Sequence, residues 1–180
     1  MTDQPKGFDA YFADKKLKSQ REKAQVDCKS VLFLTKEEIS ELEDMRARAL
    51  DEYCKEYGIC LESKDIEEEL AALPDRLKLS DKLIFRMSDQ GVLLAYALVF
   101  CSWPKIEEWT IEQLYINPDY KRQGLGSKLI NQIENVARTA EIKATSILSA
   151  PKRPKAESFW KTIGYREQEG FETQVFKKEL

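Results

Sequence analysis

The chain has 180 residues, 42% of them hydrophobic and 34% charged, and a net charge of −3. That suits one folded domain with its own core, and the acidic balance argues against broad electrostatic capture of nucleic acid. The absence of histidine excludes Ser-His and Cys-His nucleophile pairs and His-ligated metals.

Cys28, Cys54, Cys60 and Cys101 form no CxxC pair and read as small apolar residues rather than nucleophiles. The first residues lack the positive–apolar–small order of a secretory leader, so a cytoplasmic protein with reduced thiols is expected. The longest apolar run, Val92–Cys101, is about half of the ~20 residues that a spanning helix needs, and no membrane partner is expected.

Residues 1–30 are polar and lysine-rich. They read as a partly helical N-terminal extension ahead of a single domain over 31–180. Val31–Leu34 is a short β-type run. Thr35, with Glu38 three residues on, makes a capping box. Ile39, Leu42, Met45, Ala49, Tyr53 and Tyr57 then keep one helical face, and Gly58 stops the helix. A second helix is predicted from Lys64 to Leu73, between a Ser63 cap and Pro74. Leu83–Met87 and Val92–Phe100 read as strands joined by a Ser-Asp-Gln-Gly turn.

Trp109–Ile116 is the next strand, and its apolar phase slips. Trp109 and Ile111 share one face, Leu114 and Ile116 the other. A β-bulge at Glu112-Gln113 would produce this, and so would a strand buried on both faces. Lys121-Arg122-Gln123-Gly124-Leu125-Gly126 follows. It opens an amphipathic helix carrying Leu125, Leu129, Ile133, Val136 or Ala137, and Ala140.

Strand, glycine turn and helix start in that order suit a phosphate. The first helical N–H groups have no internal partners, and the helix dipole is positive there. Glycine lets the backbone approach an anion closely. Lys121, Arg122 and Lys128 add full charges. A plain strand–helix turn with solvated lysines is the competing reading.

Ala144–Leu148 is predicted to lie parallel to Trp109–Ile116, because a helix joins the two. A basic turn, Pro151–Lys155, leads into a helix that ends at Gly164. Strands at Tyr165–Glu169 and Thr173–Lys178 close the α/β order. The third glycine and ribose-binding acid of a Rossmann loop are missing, as is the Gly-Lys-Ser/Thr of a Walker loop.

The glycine turn and the stretch Ala156-Glu-Ser-Phe159-Trp160-Lys-Thr-Ile-Gly164-Tyr165 resemble two hallmarks of the GNAT superfamily of acyl-CoA-dependent N-acetyltransferases. Those hallmarks are Q/R-x-x-G-x-G/A and A-x-x-F-Y-x-x-x-G-F. The element order is similar from about Val31 to Leu180. Two positions depart: Lys121 opens the loop, and Trp160 stands where the family has tyrosine.

The resemblance implies a mixed, mostly antiparallel sheet of six to seven strands, with a central splayed parallel pair and flanking helices. It implies acetyl-CoA as cosubstrate, no metal, and an amine acceptor on a small molecule or peptide, with a homodimer left open. The pyrophosphate would sit at the amides of Gln123, Gly124, Leu125, Gly126 and Ser127, beside Lys121 and Arg122. The cofactor arm would pair with Leu114, Tyr115 and Ile116, near Phe159 and Trp160. Lys152, Arg153 and Lys155 would touch an adenosine phosphate or an acidic acceptor, or be a solvated loop. Glu62, Glu67, Glu68 and Glu69 would favour a cationic amine if they rim the acceptor cleft.

A lysine-like amine, with a reference pKa of roughly 10.4, must lose a proton before it attacks. Glu112 matches a glutamate that serves as that base in several family members; its other reading is a surface strand residue or an ion-pair partner. Glu107 and Glu108 are weaker candidates, expected on a loop. Trp160 cannot protonate the leaving thiolate, so the general acid is unassigned among Tyr165, Tyr115 and Ser149. That departure, with Lys121, motivates an alternative: a non-catalytic CoA-binding module that acts through a protein partner.

Overall fold

A computed structural model of the protein describes residues 24–58, 82–101, 104–149, 154–170 and 174–180. The chain runs β1 (Gln25–Ser30), a 3-10 turn (Val31–Phe33), α1 (Lys36–Tyr57), β2 (Lys82–Asp89), β3 (Val92–Phe100) and β4 (Glu108–Ile116). A second 3-10 turn (Pro118–Tyr120), α2 (Leu125–Thr139), β5 (Ala144–Ser149), α3 (Pro154–Thr162), β6 (Arg166–Gln168) and β7 (Gln174–Glu179) complete it. The strands form one sheet in the order β1-β2-β3-β4-β5-β7-β6. β4 and β5 are parallel, and the other neighbours antiparallel.

α1 starts and stops as its sequence dictates. The Thr35 side chain accepts from the Glu38 amide, the Glu38 carboxylate accepts from the Thr35 amide at 2.8 Å, and Gly58 ends the helix at φ 63°. Leu42 and Met45 pack on Ile84, Tyr96 and Leu98 on one face of the sheet. α2 lays Leu129, Ile130 and Ile133 on the other face, with Trp160 of α3 in the same core. Burying each of those aliphatic chains contributes roughly 1.5–3 kcal/mol. Ala95 and Ala97 of β3, both fully buried in this core, keep the sheet surface beneath α2 low.

The phase slip in β4 is a bulge. Leu98 pairs with Gln113 and Val99 with Ile111, so Glu112 is the extra residue. The strand is also buried on both faces over Trp109–Ile111, so each alternative holds for part of it. The parallel register runs from Glu108↔Ala144 to Ile111↔Ile147. Beyond it, β4 continues to Ile116 against β3, while β5 continues to Ser149 against β7. The sheet therefore opens as a wedge at the end of β4.

Several expectations need correction. Gln25–Ser30 is not part of a helical extension but an edge strand, paired with β2 from Gln25↔Ser88 to Ser30↔Leu83. Its polar composition suits an exposed edge and resembles a solvated tail when read alone. Val31–Phe33 is a 3-10 turn rather than β structure, because the chain must reverse from β1 into α1 within a few residues. Pro154 and Lys155 belong to α3, where proline's fixed φ suits a first helical position. Ala140 caps α2 in the open. Residues 1–23 and the helix predicted from Lys64 to Leu73 lie outside the described residues. No described helix is long and apolar enough to cross a membrane.

Candidate functional site

The wedge opens into a cavity of about 660 Å³. Leu114, Tyr115 and Ile116 form its floor. Ala49, Tyr53 and Glu56 of α1 form one wall, and Lys155, Ala156 and Phe159 of α3 another. The glycine turn closes the end with Lys121, Arg122, Gly124, Leu125, Gly126 and Ser127. The structure thus brings together ten of the twelve expected cofactor-contacting residues. Gln123 and Trp160 are not on the wall. Trp160 is buried behind Phe159, edge-on to it at 4.9 Å and to Tyr165 at 5.1 Å.

Local geometry gives the turn a shape that suits an anion. Arg122 and Gly124 both sit in the left-handed region, at φ 61° and 76°, a combination that aims successive N–H groups into one concavity. The first intrahelical bond runs from the Lys128 amide to the Gly124 carbonyl, 3.0 Å, so the amides of Leu125, Gly126 and Ser127 precede any i−4 acceptor. A Cβ on Gly126 would meet Phe159 ring carbons at 3.2 and 3.3 Å. Asn117 anchors the turn: its Nδ2 donates to the Leu93 carbonyl, and its Oδ1 accepts from the Asp119 amide, both at 3.2 Å.

Acidic residues face the basic ones across the cavity mouth. Glu52 pairs with Lys121, and Glu56 with Lys155. The hydrogen bond from Lys155 is the largest influence on Glu56 and, with the charges of Lys155, Lys121 and Arg122, holds its carboxyl below the usual range despite desolvation. Arg48 adds a 2.7 Å bond to Asp119.

Glu112 lies on the bulge, its side chain 23% exposed, and accepts from Lys82 Nζ at 2.6 Å. The ion-pair role is the one observed; Glu112 is not among the residues that line the cavity, and lies on β4 two residues before its floor at Leu114. Glu107 is exposed and bonds Lys143 at 2.6 Å. Glu108 is the first residue of β4 rather than a loop residue; it is buried and bonds Lys177 at 2.7 Å. Neither is at the cavity.

Of the hydroxyls considered for the acid, Tyr115 lines the cavity. Tyr165 does not: it is buried, shares a 2.7 Å hydrogen bond with Thr145, and its phenol is pushed far up by desolvation. The Ser149 side chain, Lys152, Arg153, and Glu62, Glu67, Glu68 and Glu69 lie outside the description.

Lys82, Asn117, Glu52 and Glu56 were not foreseen from sequence. Glu52 and Glu56 flank Tyr53 on α1 at an i,i+4 spacing, a faint hint. Lys82 directly precedes the apolar run Leu83-Ile-Phe85, a faint hint as well.

Residues 43–165 match the model of a family described as the Acetyltransferase (GNAT) family. A curated relative, thialysine N-epsilon-acetyltransferase of Sus scrofa, is 29% identical over 87 residues, which cover 47% of this chain. The chain spans about half of that relative, 51% of its length. An acetyltransferase from Thermus thermophilus superposes with a TM-score of 0.68 at 18% identity, covering 87% of this chain and 97% of that one. The PaiA N-acetyltransferase of Thermoplasma acidophilum, solved with coenzyme A, gives 0.66 at 14% identity over 87% and 99% of the two chains.

Proposed function

The chain belongs to the GNAT acetyltransferase family, and on that premise we propose that it transfers an acetyl group from acetyl-CoA to a primary amine by direct attack in a ternary complex. One observation carries the reading: the wedge beyond Ile111↔Ile147 opens into the same cavity as the amides of the glycine turn. That is a track for an extended chain ending in an anion cradle.

The residues present fit acetyl-CoA. Its pyrophosphate would take the amides of Leu125, Gly126 and Ser127, with Lys121, Arg122 and Lys155 as countercharges. Its pantetheine arm would lie along Leu114–Ile116 as an added strand, using backbone groups that β5 leaves unpaired. Phe159 would cover the arm. In that arrangement the amine nitrogen attacks the thioester carbonyl, and a C–N bond forms as the C–S bond breaks. Glu112 takes the proton that the amine sheds, directly or through one water, and CoA departs as a thiolate. Tyr115, a candidate already named from the sequence, lines the cavity beside Tyr53 and could protonate that thiolate. Fixing amine and thioester in one site supplies part of the rate.

The name of the Sus scrofa relative makes a small amine the first acceptor class to test. The experiment is incubation with acetyl-CoA and a panel of amines, following free thiol. Turnover on some amine is expected, with Glu112→Gln lowering kcat by about 10²-fold or more, the usual worth of a positioned base. An unchanged kcat and pH–rate profile in that variant would remove Glu112 from the mechanism. Stabilisation by CoA with no turnover on any amine would favour the non-catalytic module instead.

A further inference from the structure

The side chain of Lys82 is 1% exposed, and that of its partner Glu112 23%. Lysine at a strand end ordinarily extends its ammonium to water. Here it does the opposite. Lys82 stands opposite Phe100 of β3, which stands opposite Thr110 of β4. Glu112 is therefore two strands away, roughly 10 Å across the sheet at the usual spacing. The lysine covers that span by lying over the Phe100 ring, with Nζ 4.0 Å from its centroid, and ends 2.6 Å from Glu112 Oε2. Burying an ammonium is unfavourable unless it is paired, and both the carboxylate and the ring face compensate it here.

The partner is the one residue of β4 that the bulge removes from the ladder with β3. A bulge frees a side chain to be re-aimed, and something else must then fix its direction. We propose that Lys82 is the positioning residue for the base: its ammonium holds one oxygen of the Glu112 carboxylate and aims the other at the acceptor nitrogen. This rests on the reading of Glu112 as the base. Lys82 touches neither substrate; it acts through Glu112 alone.

The test measures kcat, the KM for acetyl-CoA and Tm in Glu112→Gln, Lys82→Met, Lys82→Arg and the double variant Lys82→Met/Glu112→Gln. Lys82→Met is expected to lower kcat by about 10- to 100-fold, the scale of a misplaced reacting group, with KM for acetyl-CoA within about twofold. Lys82→Arg recovers part of the loss. In the Glu112→Gln background, Lys82→Met changes kcat by less than about twofold, because nothing remains to be aimed. A kcat loss repeated in full in that background, together with a lowered Tm, assigns Lys82 a structural role and overturns the proposal. So does a wild-type kcat in Lys82→Met. A wild-type kcat in Glu112→Gln instead overturns the base reading itself, and the two failures are distinct. If Lys82→Met does not fold, Lys82→Arg with and without Glu112→Gln closes the same cycle.

Discussion

Gly126→Ala is the sharpest perturbation of the cradle. The added Cβ would stand 3.2 and 3.3 Å from two ring carbons of Phe159, while Ile116 Cδ1, at 3.8 Å, is an ordinary contact. Carbon pairs prefer about 3.5–4.0 Å, so the ring must give by a few tenths of an ångström. Overpacking of this kind costs about 1–3 kcal/mol. Alanine in place of glycine within a helix returns about 1 kcal/mol. The net lies between no change and about 2 kcal/mol lost. For a domain of this size that lowers Tm by at most about 8 °C. The displaced ring lines the cavity, so coenzyme A affinity suffers as well as stability: a roughly tenfold rise in Kd, about 1.4 kcal/mol, is expected. Titration calorimetry with coenzyme A and a thermal melt read both quantities. Gly126→Ala/Phe159→Leu makes room and should recover the Tm. An unchanged Kd and Tm in the single variant would refute the tight approach. No heat from the wild-type protein with coenzyme A would refute the cradle.

Glu56→Gln should tighten coenzyme A binding a few-fold at low salt, because it removes a carboxylate that competes for Lys155, Lys121 and Arg122; an unchanged Kd by titration would show no competition. Thr35→Ala removes the α1 cap and should cost about 1 kcal/mol, read as a Tm loss of about 2–4 °C. Burial pushes the Glu38 carboxyl up, but the Lys29 hydrogen bond, the Thr35 amide and the Arg86 charge outweigh it and hold it below the usual 4.5. Its stabilisation is therefore complete above about pH 4.5 and lost as pH falls through the lowered folded value; Tm should fall less steeply in acid for Glu38→Gln than for wild type. Tyr165→Phe loses the 2.7 Å bond to Thr145 and should cost about 1 kcal/mol with kcat unchanged. Tyr115→Phe should lower kcat by at least about tenfold if its hydroxyl protonates the thiolate; equal kcat in both variants would leave the acid elsewhere.

Features carried by neighbouring residues were legible before any coordinates. The Thr35–Glu38 box and the Gly58 stop each lie within one helical turn. The glycine turn and the strand–helix–strand order announced the parallel pair, since a helix of that length returns the chain in the same direction. The bulge left a trace too, a slip of period in one nine-residue strand, though burial on both faces would leave the same trace. What tertiary structure alone decided are meetings between distant segments. β1 is a strand because Gln25 finds Ser88 across the ladder; its own polar residues carry no period to betray it. Lys82 reaches Glu112 across 30 residues of chain, and Lys121 faces Glu52 across 69. Local propensity and periodicity act over a few residues, whereas such pairs exist only once the sheet register and the seat of α1 have been set. The chemistry of a residue can be read from its type, but the partner that aims or competes with it is chosen by the fold.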